Sequence, residues 1–148
     1  MKINEVEDRI ALREIIDQIS FLGDKKDFQG QVLLFSANAI SETIADGKTI
    51  LKLKGRKEIA KAFENFLQDF ETVYHFNGQQ TIKIEGDSAT GKHYCLVTLI
   101  GHDGGKKIKT TIGANYEDEY IRIDGNWLVS KRTGNFIWQD NTEIIKSI

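Results

Sequence analysis

The sequence predicts an α+β fold: N-terminal helices packed on a curled, mainly antiparallel sheet around a cavity. Three observations predict it. Apolar residues recur at helical spacing only in the first half of the chain, at Val6, Ile10, Leu12, Ile15, Ile16, Ile19 and Leu22, and again at Ile59, Ala62, Phe63, Phe66, Leu67 and Phe70. From Val73 onward the pattern changes to the alternation of strands, as in Thr81-Ile-Lys-Ile-Glu85. The strand runs are long, and the chain has no proline to remove a ladder donor. Sheets of that length curl, and helices covering one face of a curled sheet leave a cavity between the layers.

The elements follow in order. Asn4 with Glu7 three residues on is a capping-box variant that opens the first helix, and Gly23 ends it. Asp27 caps a short second helix reaching Phe35, with Val32, Leu33 and Phe35 inward. Ala39 to Ala45 reads as a strand that turns at Asp46-Gly47 into Thr49–Leu53. Gly55 starts the third helix. The run Ala89 to His102 has two faces: His93, Cys95, Val97 and Leu99 on one, Tyr94, Leu96, Thr98 and Ile100 on the other. Asp103-Gly104-Gly105 turns it, and Lys107 to Ile123 returns. The last strand runs from Trp127 to about Trp138, and a short polar tail follows in which Ile144 and Ile145 could dock.

The final hairpin turns at Asp124-Gly125-Asn126, where glycine accepts positive φ without steric cost. Two registers put opposite charges across it. If Ile123 faces Trp127, Asp118 meets Arg132 and Glu119 meets Lys131; if Arg122 faces Trp127, Asp118 meets Lys131 and Glu117 meets Arg132. Cross-strand charge supports both.

The 148 residues suit one domain with one core, spanning 1–148. A net charge of −2 supplies no field toward nucleic acid or membrane, and lysine clusters at 25–26, 52–57 and 106–109 lie at turns and strand ends. The lone Cys95 excludes an internal disulfide and reads as a small core residue. Three dispersed histidines offer no metal-ligand spacing. The acidic start Met1 to Asp8 does not read as a signal peptide, and no apolar run reaches spanning length, so a cytoplasmic protein is expected.

Several segments in this order resemble the SnoaL-like branch of the NTF2-like superfamily, a cone-shaped α+β fold. They are Phe21-Leu-Gly-Asp24-Lys-Lys-Asp27-Phe28, the helix start Gly55 to Phe63, His75-Phe-Asn-Gly78 leading to Ile82 through Ala89, and Tyr116-Glu-Asp118 running into Asp124-Gly-Asn-Trp127. The resemblance covers nearly the whole chain. That fold hosts cyclases, dehydratases, isomerases and non-enzymes, so fold alone does not assign activity.

The resemblance implies that His75 faces the cavity and that Asp24 hydrogen-bonds to it. Such a carboxylate would orient the imidazole and leave the other ring nitrogen for acid–base work. Asp24 and Asp27 can equally be turn residues. Tyr94, Tyr116 and Tyr120 could present hydroxyls to an apolar ligand, or serve as core. Asp118 and Arg132 could orient a ligand at the pocket mouth; an exposed cross-strand pair is the simpler expectation. Dehydratase-like relatives use a second histidine. His93 and His102 are nine positions apart, so only one of them can face inward.

Two functions fit. One is a dehydratase, isomerase or cyclase without cofactor, acting on an apolar oxygenated small molecule through His75 and Asp24. The other is a non-catalytic module of the same fold that binds a hydrophobic ligand or dimerises. Apolar residues on both faces of the long strands also predict a homodimer through the sheet.

Overall fold

Residues 2–146 are described by the computed structural model. Helix α1 (Ile3–Asp24) is followed by a single turn, α2 (Phe28–Gln31), and a 3-10 turn at Val32–Leu34. Strands β1 (Phe35–Ala45) and β2 (Lys48–Lys54) precede helix α3 (Arg56–Leu67). Four long strands complete the chain: β3 (Thr72–Glu85), β4 (Ser88–Asp103), β5 (Lys106–Ile123) and β6 (Asn126–Glu143). The sheet order is β2-β1-β6-β5-β4-β3. Every pairing is antiparallel except β1 with β6, so the first strand returns to lie beside the last.

Leu12, Ile15, Ile16 and Ile19 are the buried stripe of α1, at the spacing that faces one side of a helix. They meet Val73, Cys95, Val97, Leu99, Ile112 and Val129 from the sheet in one core. Each such side chain contributes about 1.5–3 kcal/mol on leaving water. Val6 and Ile10 were expected on this stripe but are exposed, because the side of α1 that meets the sheet there carries Asp8, bonded to Arg122 and Trp127, and Arg9, bonded to Ile82 O.

Four local expectations change. The capping box does not form: α1 starts at Ile3, Lys2 is its N-cap, and no side chain caps it. Gly23 does not end the helix. Lys26 takes the left-handed conformation (φ 62°) that closes the helix, with Asp27 N–H bonded to Leu22 O and Lys26 N–H to Gly23 O. Gly23 is buried for packing instead, since a Cβ there would lie 2.8 Å from Gln31 Nε2. In the second helical segment Phe35 already belongs to β1 and Leu33 is exposed. Finally, β6 continues to Glu143, and Ile145 is exposed instead of docked.

The closing hairpin uses both registers. A two-residue turn with Asp124 (φ 51°) and Gly125 (φ 79°) sets Arg122 opposite Trp127. The register then shifts between Glu119 and Tyr120, with Ser130 as the extra residue, and beyond it Asp118 faces Arg132 and Glu119 faces Lys131. A second shift between Gly113 and Ala114 leaves Ile137 unpaired. Such bulges strengthen twist and bend the strand, which curls the sheet around the helices.

Candidate functional site

Between the concave sheet face and the helices lies a cavity of about 350 Å³. Apolar side chains dominate its lining, among them Ile19, Phe63, Leu67, Val97, Ile112 and Phe136. Pockets that orient small ligands combine such walls with a few placed polar groups. Besides Ser41, Glu42 and Thr43 of β1, two sets of polar groups stand at this cavity.

The first is the junction of α1 and β3. Asp24 is the last residue of α1, and His75 lies on the inward face of β3. Asp24 Oδ1 is 2.6 Å from His75 Nδ1, and Asp24 Oδ2 accepts the backbone N–H of His75 at 3.2 Å. One carboxylate thus grips both the ring and the main chain of one residue. A carboxylate partner assigns the proton to Nδ1 and leaves Nε2 with its lone pair. The ring borders the cavity, and Nε2 has no partner within the described protein. The structure brings together the two residues that the family resemblance paired.

The second is β6. Arg132 borders the cavity and binds Asp118 in a fork: Nε to Oδ1 at 2.8 Å and Nη2 to Oδ2 at 3.0 Å. Tyr120 donates its hydroxyl to Asp118 Oδ2 at 3.0 Å. The guanidinium lies 4.6 Å from the ring centroid of Tyr116, another cavity residue. Burial opposes the charge on Arg132, but the Asp118 carboxylate outweighs it and holds the guanidinium above its ordinary range. Burial pushes the hydroxyls of Tyr116 and Tyr120 up.

The expectation of an exposed Asp118–Arg132 pair is therefore corrected. Asp118 is 2% and Arg132 8% exposed. Ile112, Ala114, Tyr116, Asp118 and Tyr120 share one parity on β5, and that face is inward. On β6 the extra residue Ser130 moves the inward parity from Trp127 and Val129 to Arg132 and Gly134. Tyr120 is buried behind the wall and does not reach the cavity. Tyr94 is removed from the site: it is 58% exposed on the outer face, beside Leu96 and opposite Asn115.

Of the two remaining histidines, His93 faces in and His102 out, as the odd separation requires. His93 stacks on Tyr116, centroids 5.2 Å apart at 22°. It does not border the cavity, and its Nδ1 is buried without a partner. Burial, then the nearby Arg132 charge, depress its pKa to about 4. His102 is exposed and pairs with Glu71 at 3.0 Å. Cys95 is buried, and burial pushes its thiol up to about 11, which suits a core residue and not a nucleophile.

Asn77, Ser20 and Gln31 also border the cavity, and sequence reasoning passed over all three. Asn77 carried a usable signal: it stands two residues after His75 and so on the same strand face. Ser20 follows Ile19 on α1 and is buried with it.

A SnoaL-like domain family model matches residues 4–133. The chain belongs to the SnoaL-like domain family. An uncharacterized protein of Mycobacterium tuberculosis is 20% identical over 133 residues, 89% of this chain and 87% of that protein. Among solved structures, a type 2 hexachlorocyclohexane dehydrochlorinase (LinA) superposes with a TM-score of 0.81 at 20% identity, covering 97% of this chain and 95% of that one. A scytalone dehydratase-like protein from Novosphingobium aromaticivorans gives 0.80 at 18%, covering 97% and 93%. At these identities the SnoaL-like chain shares the fold of those proteins, an NTF2-like cone, and its chemistry rests on its own residues.

Proposed function

We propose that this SnoaL-like protein is an enzyme without cofactor that moves a proton on an apolar, oxygenated small molecule, by dehydration, isomerisation or cyclisation. The observation that carries the reading is the Asp24–His75 pair at the wall of an apolar cavity. His75 Nε2 takes a proton from a substrate carbon. Asp24 stabilises the imidazolium that forms and keeps the ring in place. The same Nε2–H then returns the proton to a departing hydroxyl, giving water and an alkene, or to another carbon, giving an isomer. General acid–base catalysis of this kind contributes about 10²–10⁴-fold. Arg132 supports the reading from the other wall. Its Nε and Nη2 are held by Asp118, so Nη1 can donate to a substrate oxygen as charge develops there.

The test uses exchange and mass. The protein is incubated in D₂O with a panel of small ring ketones and β-hydroxy ketones. Gain of deuterium or loss of water in at least one compound, abolished in His75→Ala, is expected. An identical product profile from wild type and His75→Ala removes the enzyme reading.

A second reading, a non-catalytic module, draws on a different observation. Tyr74, Phe76, Tyr94, Leu96 and Trp138 are exposed on the convex side of the sheet. Contiguous apolar surface of that kind favours association, and a homodimer through this face is the assembly we propose.

A further inference from the structure

Asn77 is held in a way that its structural contacts do not fully use. It lies on the inward face of β3 just before the register shift between Asn77 and Gln80. Its Nδ2 is met by three acceptors of α1: Ile16 O at 3.2 Å, Asp17 Oδ1 at 3.1 Å and Ser20 Oγ at 3.0 Å. An amide nitrogen has two hydrogens and no acceptor capacity, so three acceptors around one end fix which end it is. The carbonyl end, Oδ1, must point the other way. The backbone around it is also pinned: Arg13 Nη1 donates to Gly78 O at 2.8 Å, while Arg13 Nε holds the other oxygen of Asp17 at 3.1 Å.

Asn77 Oδ1 has no donor within the described protein, yet it is not sealed. Among the described residues, the sealed side-chain atoms without a hydrogen-bond partner are Arg9 Nε, Gln31 Oε1 and His93 Nδ1. Asn77 is one of the residues that line the cavity, on the strand face that carries His75, and with Nδ2 committed to α1 its oxygen is the amide atom left to meet a ligand. Fixed acceptors in apolar surroundings discriminate strongly, because a ligand without the matching donor leaves them unpaired.

We infer that Asn77 is a specificity-determining residue whose Oδ1 accepts a hydrogen bond from a hydroxyl of the ligand, so that the cavity selects hydroxylated molecules over their ethers. Residues two apart on one strand face are separated by roughly 7 Å. The donor hydroxyl and the carbon served by His75 are then about that far apart, the span of one substituted six-membered ring. The inference rests on reading the cavity as a small-molecule site, but not on catalysis there.

The experiment uses matched pairs that differ only in the donor: 2-naphthol with 2-methoxynaphthalene, and 4-tert-butylcyclohexanol with its methyl ether. Binding is followed by amide NMR shifts of the full chain. In wild type each alcohol is expected to bind roughly 10- to 100-fold more tightly than its ether. In Asn77→Ala the two members should bind within about twofold. Asn77→Ser, which can still donate to α1 but ends short of the cavity, should behave the same way and covers the case in which the alanine variant does not fold. Equal binding of alcohol and ether in wild type, no binding by either, or a preference that survives both variants would overturn the inference. His75→Ala distinguishes the two proposals: if it keeps the alcohol preference while wild type shows no exchange chemistry, the enzyme reading fails and this one stands.

Discussion

Asp24 holds His75 by two handles: one oxygen takes ring Nδ1 at 2.6 Å, and the other takes the same residue's main-chain N–H at 3.2 Å. The ring is thereby fixed in both tautomer and direction. Asp24→Asn keeps size and can keep the backbone bond, but its amide can donate to Nδ1 and favour the Nε2–H tautomer. Activity should fall by about 10²–10⁴-fold with stability little changed. Imidazole ¹⁵N shifts check the cause: the Nδ1–H form should dominate in wild type and give way in the variant.

His93 predicts a pH dependence of stability. Its pKa falls from the ordinary 6.5 to about 4 in the fold, chiefly because burial disfavours the imidazolium. Between those values the unfolded chain binds the proton and the folded chain does not. The stabilising difference is complete above pH 6.5, is lost as pH drops through the window, and is level below about 4. Its size is on the order of 2–3 kcal/mol. Urea unfolding at pH 7.5 and 4.5 should show wild type losing more stability than His93→Gln by roughly that amount.

The Asp118–Arg132 fork should be costly to break on one side only. Arg132→Met leaves a buried carboxylate with one hydrogen bond, from Tyr120, and His93 Nδ1 3.8 Å away, and is expected to cost about 3–5 kcal/mol. Asp118→Leu combined with Arg132→Met should recover much of the loss. If chemical denaturation finds the two single losses simply additive, the pair is not an energetic unit.

Cys95 should be inert in the folded chain. Its thiol is buried and pushed up to about 11, so little thiolate exists at pH 8. Iodoacetamide labelling followed by mass should be slow in buffer and rapid in urea. Fast labelling in buffer would mean that the β4 region opens readily.

The convex sheet face should set the assembly. Light scattering at micromolar concentration should give twice the chain mass, and Leu96→Asp, on the exposed side of β4, should give a monomer. A monomeric wild type across that range would leave the apolar face without this role.

Much of the fold was legible because its signals are local. Alternation marks β3 and β4, and Asp-Gly marks two of the four tight hairpins, where Asp46 and Asp124 also adopt positive φ. What escaped depends on single residues that change parity. Ser130 turns Arg132 inward, and no pattern in residues 127–132 announces that a bulge sits there. Likewise Lys26, not Gly23, supplies the left-handed residue after α1, because packing against Gln31 claims the glycine. In the site, the Asp24–His75 contact spans 51 positions, so no local pattern could place it; family likeness did. Asn77 needed the structure, since its meaning lies in three acceptors on another element.

The parallel pairing of β1 with β6 has a consequence for how the chain is made. Phe35 pairs with Val129, and Ile40 through Ala45 with Lys131 through Phe136, so the β1–β2 hairpin has no sheet to join until the last strand has been synthesised. Bringing such distant segments together requires closing a very long loop before any contact rewards it. Refolding on the millisecond-to-second scale is the kinetic expectation for pairing so remote in sequence. On the ribosome, an early hairpin with an unsatisfied edge waits for its neighbour, and the sheet is completed only once β6 has emerged.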